Sequence, residues 1–242
     1  MDTTAHRRYG ALTAAQLSAL DAAAVEVGVD IAQLMEVAGF QVARQGWRMI
    51  GSRPGRVHVV AGHGNNGGDA LVAARHMAAW GCAVTATVHV DPRRLDGVVA
   101  RQARTARRSA VDVVVSADPD DAVPPADAAL VIDGLLGTGL RGPARPAQVA
   151  VIERMHGTIL SIDVPSGVDA DTGVALGGAV RASVTCTLTA CKRGFWVPAS
   201  RGWTGVLVAA DIGMPREAWV RCELRAPTHV RGGGLRRVPD PD

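Results

Sequence analysis

Residues 57–77, VHVVAGHGNNGGDALVAARHM, put an apolar β-type run directly before a glycine-dense turn that opens into an amphipathic helix. Gly62, Gly64 and Gly67 fit the spacing G-x-G-x-x-G, which sets backbone N–H groups and a helix N-terminus against phosphate. The turn also carries Asn65, Asn66 and Asp69, where a simple dinucleotide loop needs little beyond glycine. A carboxylate there suits the helix dipole but repels a bound diphosphate. The loop is therefore expected to meet a cation, or to take part in chemistry, besides binding pyrophosphate.

Two more loops carry the same kind of polar content. In VIDGLLGTGLRGP, 131–143, Asp133 ends a strand, and Gly137, Gly139 and Gly142 make an amide-rich loop around Thr138 and Arg141 that could wrap an anion. In SIDVPSGVDADTG, 161–173, Asp163 ends another strand, Pro165 forces the chain out of it, and Ser166-Gly167 makes the turn. The Asn66 amide, the Asp133 carboxylate and the Ser166 hydroxyl form an oxygen-only set, which suits a hard cation and not zinc or copper. Two carboxylates in one mouth should also push apart in pKa, leaving one able to act as acid or base. Lys192 is the only lysine among 26 basic residues. Against that arginine bias, it marks a place where a compact, burial-sensitive ammonium is needed.

The elements around these loops alternate. Helices are expected at 13–26 and 30–48, with Thr13 and Asp30 as N-caps, and at about 68–80, 96–109 and 145–156. Strands are expected at about 56–61, 83–90, 111–115, 129–133, 158–163, 183–189 and 205–210. Continuous Val/Ile/Ala runs in β-α-β order predict a mainly parallel sheet covered on both faces, with antiparallel edges where intervening helices fade. Ligands of such a sheet bind beyond the carboxyl ends of the strands, where all three loops fall. Residues 1–225 read as one domain, and the Gly/Pro/Arg-rich stretch 226–242 as a disordered tail.

A net charge of +3 and 3% aromatics argue against a nucleic-acid surface. No apolar run approaches the roughly 18 residues of a membrane span, and no hydrophobic segment follows the first arginines. Cys82, Cys186, Cys191 and Cys222 show neither CxxC nor zinc spacing and read as core thiols, so a cytoplasmic setting is expected.

The segments LMEVAG, GHGNNGGDALVAARHM, DGLLGTGLRGP, DVPSGVDADTG, CKRG and DIGMP occur in order between residues 34 and 215. Together they resemble the NAD(P)H-hydrate epimerase family, the YjeF N-terminal domain. The resemblance implies a Rossmann-like three-layer α/β/α sandwich with N-terminal helices. It also implies epimerisation of the R and S hydrates of NADH and NADPH (NADHX and NADPHX) at C6 of the nicotinamide ring. Substrate would be bound by Asn65, Asn66, Gly67, Gly68 and Asp69, by Gly137, Thr138, Gly139, Leu140, Arg141, Gly142 and Pro143, and by Asp163. Potassium would be held by Asn66, Asp133 and Ser166. Asp163 is the expected acid/base, and Lys192 is expected to orient it, to set its pKa or to hydrogen-bond the substrate. Asp69 is expected to position its turn. Ala70 and Val37 stand where members carry glycine and asparagine.

The family's partners would be a separate ATP- or ADP-dependent dehydratase, since the chain stops before a fused one, and a second copy docked through the N-terminal helices. Two other readings compete. An NAD-dependent dehydrogenase would use Asp91 on the ribose but leaves NNGGD and DVPSG unexplained. A non-catalytic nucleotide- or partner-binding scaffold of the same fold would bind without turnover. Phe195 and Trp196 are candidates to line the nicotinamide pocket.

Overall fold

The computed structural model describes residues 3–230 and 234–239. The apolar runs form β1 (Arg56–Ala61), β2 (Ala83–His89), β3 (Asp112–Ser116), β4 (Leu130–Gly134), β5 (Ile159–Ile162), β6 (Val184–Leu188) and β7 (Val206–Ala210), joined by β8 (Leu235–Arg237). Their order across the sheet is β3-β2-β1-β4-β5-β6-β7-β8. Every pairing is parallel except β7 with β8. Strands β1 and β4 to β7 are buried on both faces, which is why they read as continuous apolar runs, while Val114 of the edge strand β3 is exposed. Val57, Val59 and Ala61 of β1 face one core, and Val60 faces the other with Val131 of β4.

The helices are α1 (Thr3–Tyr9), α2 (Ala14–Glu26), α3 (Ile31–Met49), α4 (Asn65–Ala79), α5 (Gly97–Arg108), α6 (Pro146–Arg154), α7 (Arg201–Thr204) and α8 (Arg216–Arg221). Helices α2 to α5 pack on the face that holds the larger core, and α6 covers the opposite face. Thr13 and Asp30 do cap α2 and α3. Each accepts from the helix's first turn while a glutamine three residues on reaches back to the cap's own N–H.

Three expectations are corrected. Helix α4 begins at Asn65, not 68, so residues 65–69 are its opening turns and not a free loop. Ala70 sits inside that helix, fully buried, and is not among the residues with positive φ. Strands β6 and β7 are parallel, so the only antiparallel edge among the described residues is β8. That strand also overturns the tail's expected disorder where it is described. Leu235 pairs with Ala210, and Val238 is buried and donates its N–H to Leu207 O at 2.9 Å. The rest of the expected tail, 231–233 and 240–242, lies outside the described residues.

The segment after α1, for which no structure was expected, holds the end of β6 in place. Cys191 N donates to Tyr9 O at 2.7 Å, Leu12 N to Cys191 O at 3.0 Å, and Arg193 N to Leu12 O at 2.8 Å. Lys192 is thereby gripped by backbone on both sides. Among the described residues no helix is long and apolar enough to cross a membrane.

Candidate active site

Strand order reverses between β1 and β4, and the crevice outside their carboxyl ends is where open α/β sheets take ligands. Here it widens into a cavity of about 940 Å³. The first wall is the turn from β1 into α4. A Cβ on Gly67 would stand 1.9 Å from Gly62 O, and one on Gly62 would stand 2.0 Å from Leu135 O. Both glycines let the turn pack against itself and against the exit of β4. Asn65, Asn66 and Asp69 then face the cavity, while Gly67 and Gly68 are buried behind them.

Below the second wall lies a polar knot. Asp133, fully buried at the end of β4, accepts from Ser166 Oγ (2.6 Å), Ser161 Oγ (2.7 Å), Ser166 N (3.0 Å) and Leu135 N (3.3 Å). Burial pushes its carboxyl up, and the four donors pull it back. Asn66 Nδ2 donates to Leu136 O at 2.8 Å and to Ile162 O at 3.3 Å, and Ser166 Oγ accepts from Leu136 N at 2.8 Å. All four partners of Asp133 are neutral. Among the described residues no cationic side chain bonds this buried carboxylate, and oxygens from Asp133, Ser166 and Asn66 are the donor type that a hard cation takes.

The floor is built by Asp163, which follows β5 with φ +65°, in the left-handed region that few non-glycine residues enter and aspartate enters more readily than most. Such strain gathers where a side chain must be aimed. Asp163 Oδ1 accepts from Leu188 N at 3.0 Å and from Lys192 Nζ. Lys192, 1% exposed, also donates to Thr187 Oγ1 (2.9 Å), Leu188 O (3.0 Å) and Ala190 O (3.1 Å). An ammonium has three protons, so every one is engaged, which suits an orienting charge and leaves no free amine.

Two more carboxyls face this pair. Asp21, from α2, is pushed up to about 6, by burial first and then by the Asp163 charge, with Lys192 pulling the other way. Burial and the charges of Asp163 and Asp21 hold Asp69 well above the ordinary carboxylate range. The expected splitting of carboxyl pKa values therefore sets Asp69 and Asp21 around Asp163, while Asp133 lies beneath the cavity and not in its mouth.

Of the candidate binding residues, Asn65, Asn66, Asp69, Gly137, Thr138, Gly139, Leu140, Arg141, Pro143, Asp163 and Lys192 line the cavity. Gly142 lines a smaller neighbouring cavity of about 270 Å³ with Thr138, Arg141 and Asp171. Phe195 is buried in the core beside α1, and Trp196 Nε1 donates to Gly10 O at 2.9 Å. Neither lines the cavity. Asp21 was missed, although a signal existed: Leu17, Leu20, Asp21 and Ala24 share one helical stripe, placing a carboxylate on an apolar face. A second arm, with His63, His89, Asp91 and Arg94, was not read as one group.

Known proteins match this chain as follows. The YjeF_N family, YjeF-related protein N-terminus, matches residues 31–194. An NAD(P)H-hydrate epimerase of Cenarchaeum symbiosum is 38% identical over 193 residues, covering 76% of this chain and 86% of its own. A bifunctional NAD(P)H-hydrate repair enzyme of Hyperthermus butylicus is 41% identical over 217 residues, covering 87% of this chain. This chain spans only 40% of that relative's length, and a similar share of the other bifunctional relatives. The crystal structure of the yeast protein ynu0 superposes with a TM-score of 0.78 at 23% identity, over 94% of this chain and 99% of that one, which shows a shared fold. By the match over residues 31–194 and the identity to full-length relatives, the chain belongs to the YjeF-related protein N-terminus family.

Proposed function

We propose that this chain interconverts the R and S hydrates of NADH and NADPH at C6 of the nicotinamide ring, residues 1–225 carrying the activity. The observation that carries this reading is Asp163, held in a left-handed conformation and gripped by Lys192 at the floor of a cavity walled by the α4 N-terminus and the 137–143 loop. The relatives' names supply the substrate class.

The chemistry needs little beyond proton handling. The ring nitrogen's lone pair expels the C6 hydroxyl once that oxygen is protonated, leaving a delocalised iminium. Water then attacks either face and gives up a proton. Asp163 would handle a proton at C6, and Lys192 would hold it in one orientation. The Asn65 and Asn66 amides and the 137–143 loop, with Arg141 beside it, would hold the dinucleotide. Asn66, Asp133 and Ser166 would hold potassium, whose fixed positive charge would steady the two loops. The S hydrate would then pass to an ATP- or ADP-dependent dehydratase in the same cytoplasmic compartment, and a homodimer through the N-terminal helices is the proposed assembly.

The test is to incubate the purified protein with isolated R-NADHX and follow the S form by chromatography against the spontaneous rate, with Asp163→Asn in parallel. Acceleration in the wild type that falls by about 10²–10⁴ in the variant is expected. A folded wild type that leaves the spontaneous rate unchanged overturns the reading.

A further inference from the structure

The cavity is lined by the carboxyls of Asp21, Asp69, Asp91 and Asp163 and by the cations Arg94, Arg141, Arg145 and Lys192, of which Lys192 is the one that bonds Asp163. Lys192 is committed to Asp163 and to three neutral oxygens. Asp163 takes a further donor from Leu188 N. Asp69 stands in the second turn of α4, 8% exposed, and among the described residues no donor reaches its carboxyl. A largely buried carboxylate that meets only the cavity, with neither a protein donor nor a cation on it, is held less well than the same group as a neutral acid. Its proton is then available to the cavity that it lines.

We propose that Asp69 is the general acid of the reaction, protonating the departing C6 hydroxyl, and that Asp163 is the matching base for the attacking water. This rests on the epimerase reading above. The Asp69 proton goes to the C6 oxygen, the C6–O bond breaks with its electron pair leaving in water, and the ring nitrogen's lone pair forms the C6=N bond. Water forms the new C6–O bond on the other face, the π pair returns to nitrogen, and the surplus proton goes to Asp163. Passage of that proton from Asp163 to Asp69 resets the site. Run backwards, the roles exchange, as a reversible epimerisation requires.

The charges felt by Asp69 come from two elements, Asp21 of α2 and Asp163 after β5, and both favour keeping its proton. Activity should therefore fall as pH rises through the raised pKa of Asp69, because the acid form is the active one. Asp21 loses its own proton near pH 6, which strengthens the hold of Asp69 on its proton above that pH.

The experiment has two arms. Infrared difference spectra of wild type against Asp69→Asn, without substrate at pH 7, should show the carbonyl band of a protonated carboxylic acid in the wild type alone. The pH profile of kcat should lose its alkaline limb in Asp69→Asn, with kcat down by about 10²–10⁴ and KM within threefold. Asp69→Glu should recover part of the rate. Absence of the band, or an Asp69→Asn enzyme with the parent's rate and alkaline limb, overturns the proposal while the epimerase reading stands. A wild type that shows the band and no turnover overturns the epimerase reading, and the catalytic use of the proton with it.

Discussion

Replacing Lys192 with methionine keeps the side chain's length and removes the one ammonium on the cavity floor. Its four partners do not suffer equally. Thr187 Oγ1 still donates to Ala190 O at 3.2 Å, and Leu188 O still accepts from Ala190 N at 2.6 Å. The loss that nothing replaces is at Asp163, whose side chain is 13% exposed and is left with Leu188 N alone. Breaking a buried ion pair by removing one partner costs about 3–5 kcal/mol, and the partial exposure of Asp163 puts this site near the lower end. Against a total stability of about 5–15 kcal/mol this is a large fraction. With a urea slope of about 3 kcal/mol/M, the midpoint should drop by about 1 M. Denaturation followed by the fluorescence of the five tryptophans, with circular dichroism as a check on two-state behaviour, reads this directly. Lys192→Met combined with Asp163→Asn removes both charges, so the double variant should recover about 2 kcal/mol relative to the sum of the singles. Lys192→Arg should not restore stability, because the three donors of a compact ammonium, and not a guanidinium fork, match these oxygens. A Lys192→Met cost below about 1 kcal/mol with additive singles, as for a solvated surface pair, would refute the reasoning.

Other outcomes follow from the same geometry. Asp21 keeps its proton to about pH 6 in the fold but only to an ordinary carboxyl value when unfolded. Its contribution to stability therefore falls as pH rises from about 4 to 6. Asp21→Asn should match the wild type at pH 4 and exceed it by on the order of 2 kcal/mol above pH 6, and equal stability at both pH values would count against the half-buried placement beside Asp163. Gly67→Ala drives a Cβ to within 1.9 Å of Gly62 O, whereas Gly64→Ala meets nothing within 4 Å. The first should destabilise by at least about 2 kcal/mol and the second by under about 0.5 kcal/mol, and equal losses in thermal unfolding would show that the turn is not packed as described. Potassium at a hundredfold excess over its Kd should stabilise by about 2.7 kcal/mol. That gain should vanish in Asp133→Asn, and a gain equal to that from a bulky organic cation would argue against a specific site.

Much of this was legible in the chain because burial dictates residue type. Strands β1 to β7 fall within a residue or two of the apolar runs, since a parallel sheet covered on both faces tolerates few polar positions. The caps at Thr13 and Asp30 were legible because side-chain oxygens at those spacings answer the free N–H groups of a helix start. The start of α4 was not, because Gly67 and Gly68 carry a propensity against helix. Close approach overrides that propensity, since larger side chains there would strike Gly62 O and the Met35 side chain. β8 was hidden by its arginines and by the glycines before it, which suit an edge strand as well as a tail. Asp163 and Lys192 were singled out separately, one by its strand end and one by its rarity. That they touch depends on β5 and β6 lying side by side, which no local pattern encodes. Asp21 shows the converse, a visible breach of an apolar stripe that acquires meaning only once α2 is seen against the cavity.

The most direct test of the central claim is epimerisation of R-NADHX in H₂¹⁸O, with the S product resolved by chromatography and weighed by mass spectrometry. Loss and return of the C6 hydroxyl in the cavity predicts an enzyme-accelerated inversion in which each S molecule carries one solvent oxygen, with both the acceleration and its label absent from Asp163→Asn. No acceleration over the spontaneous rate, or an accelerated inversion that retains the original oxygen, would contradict it.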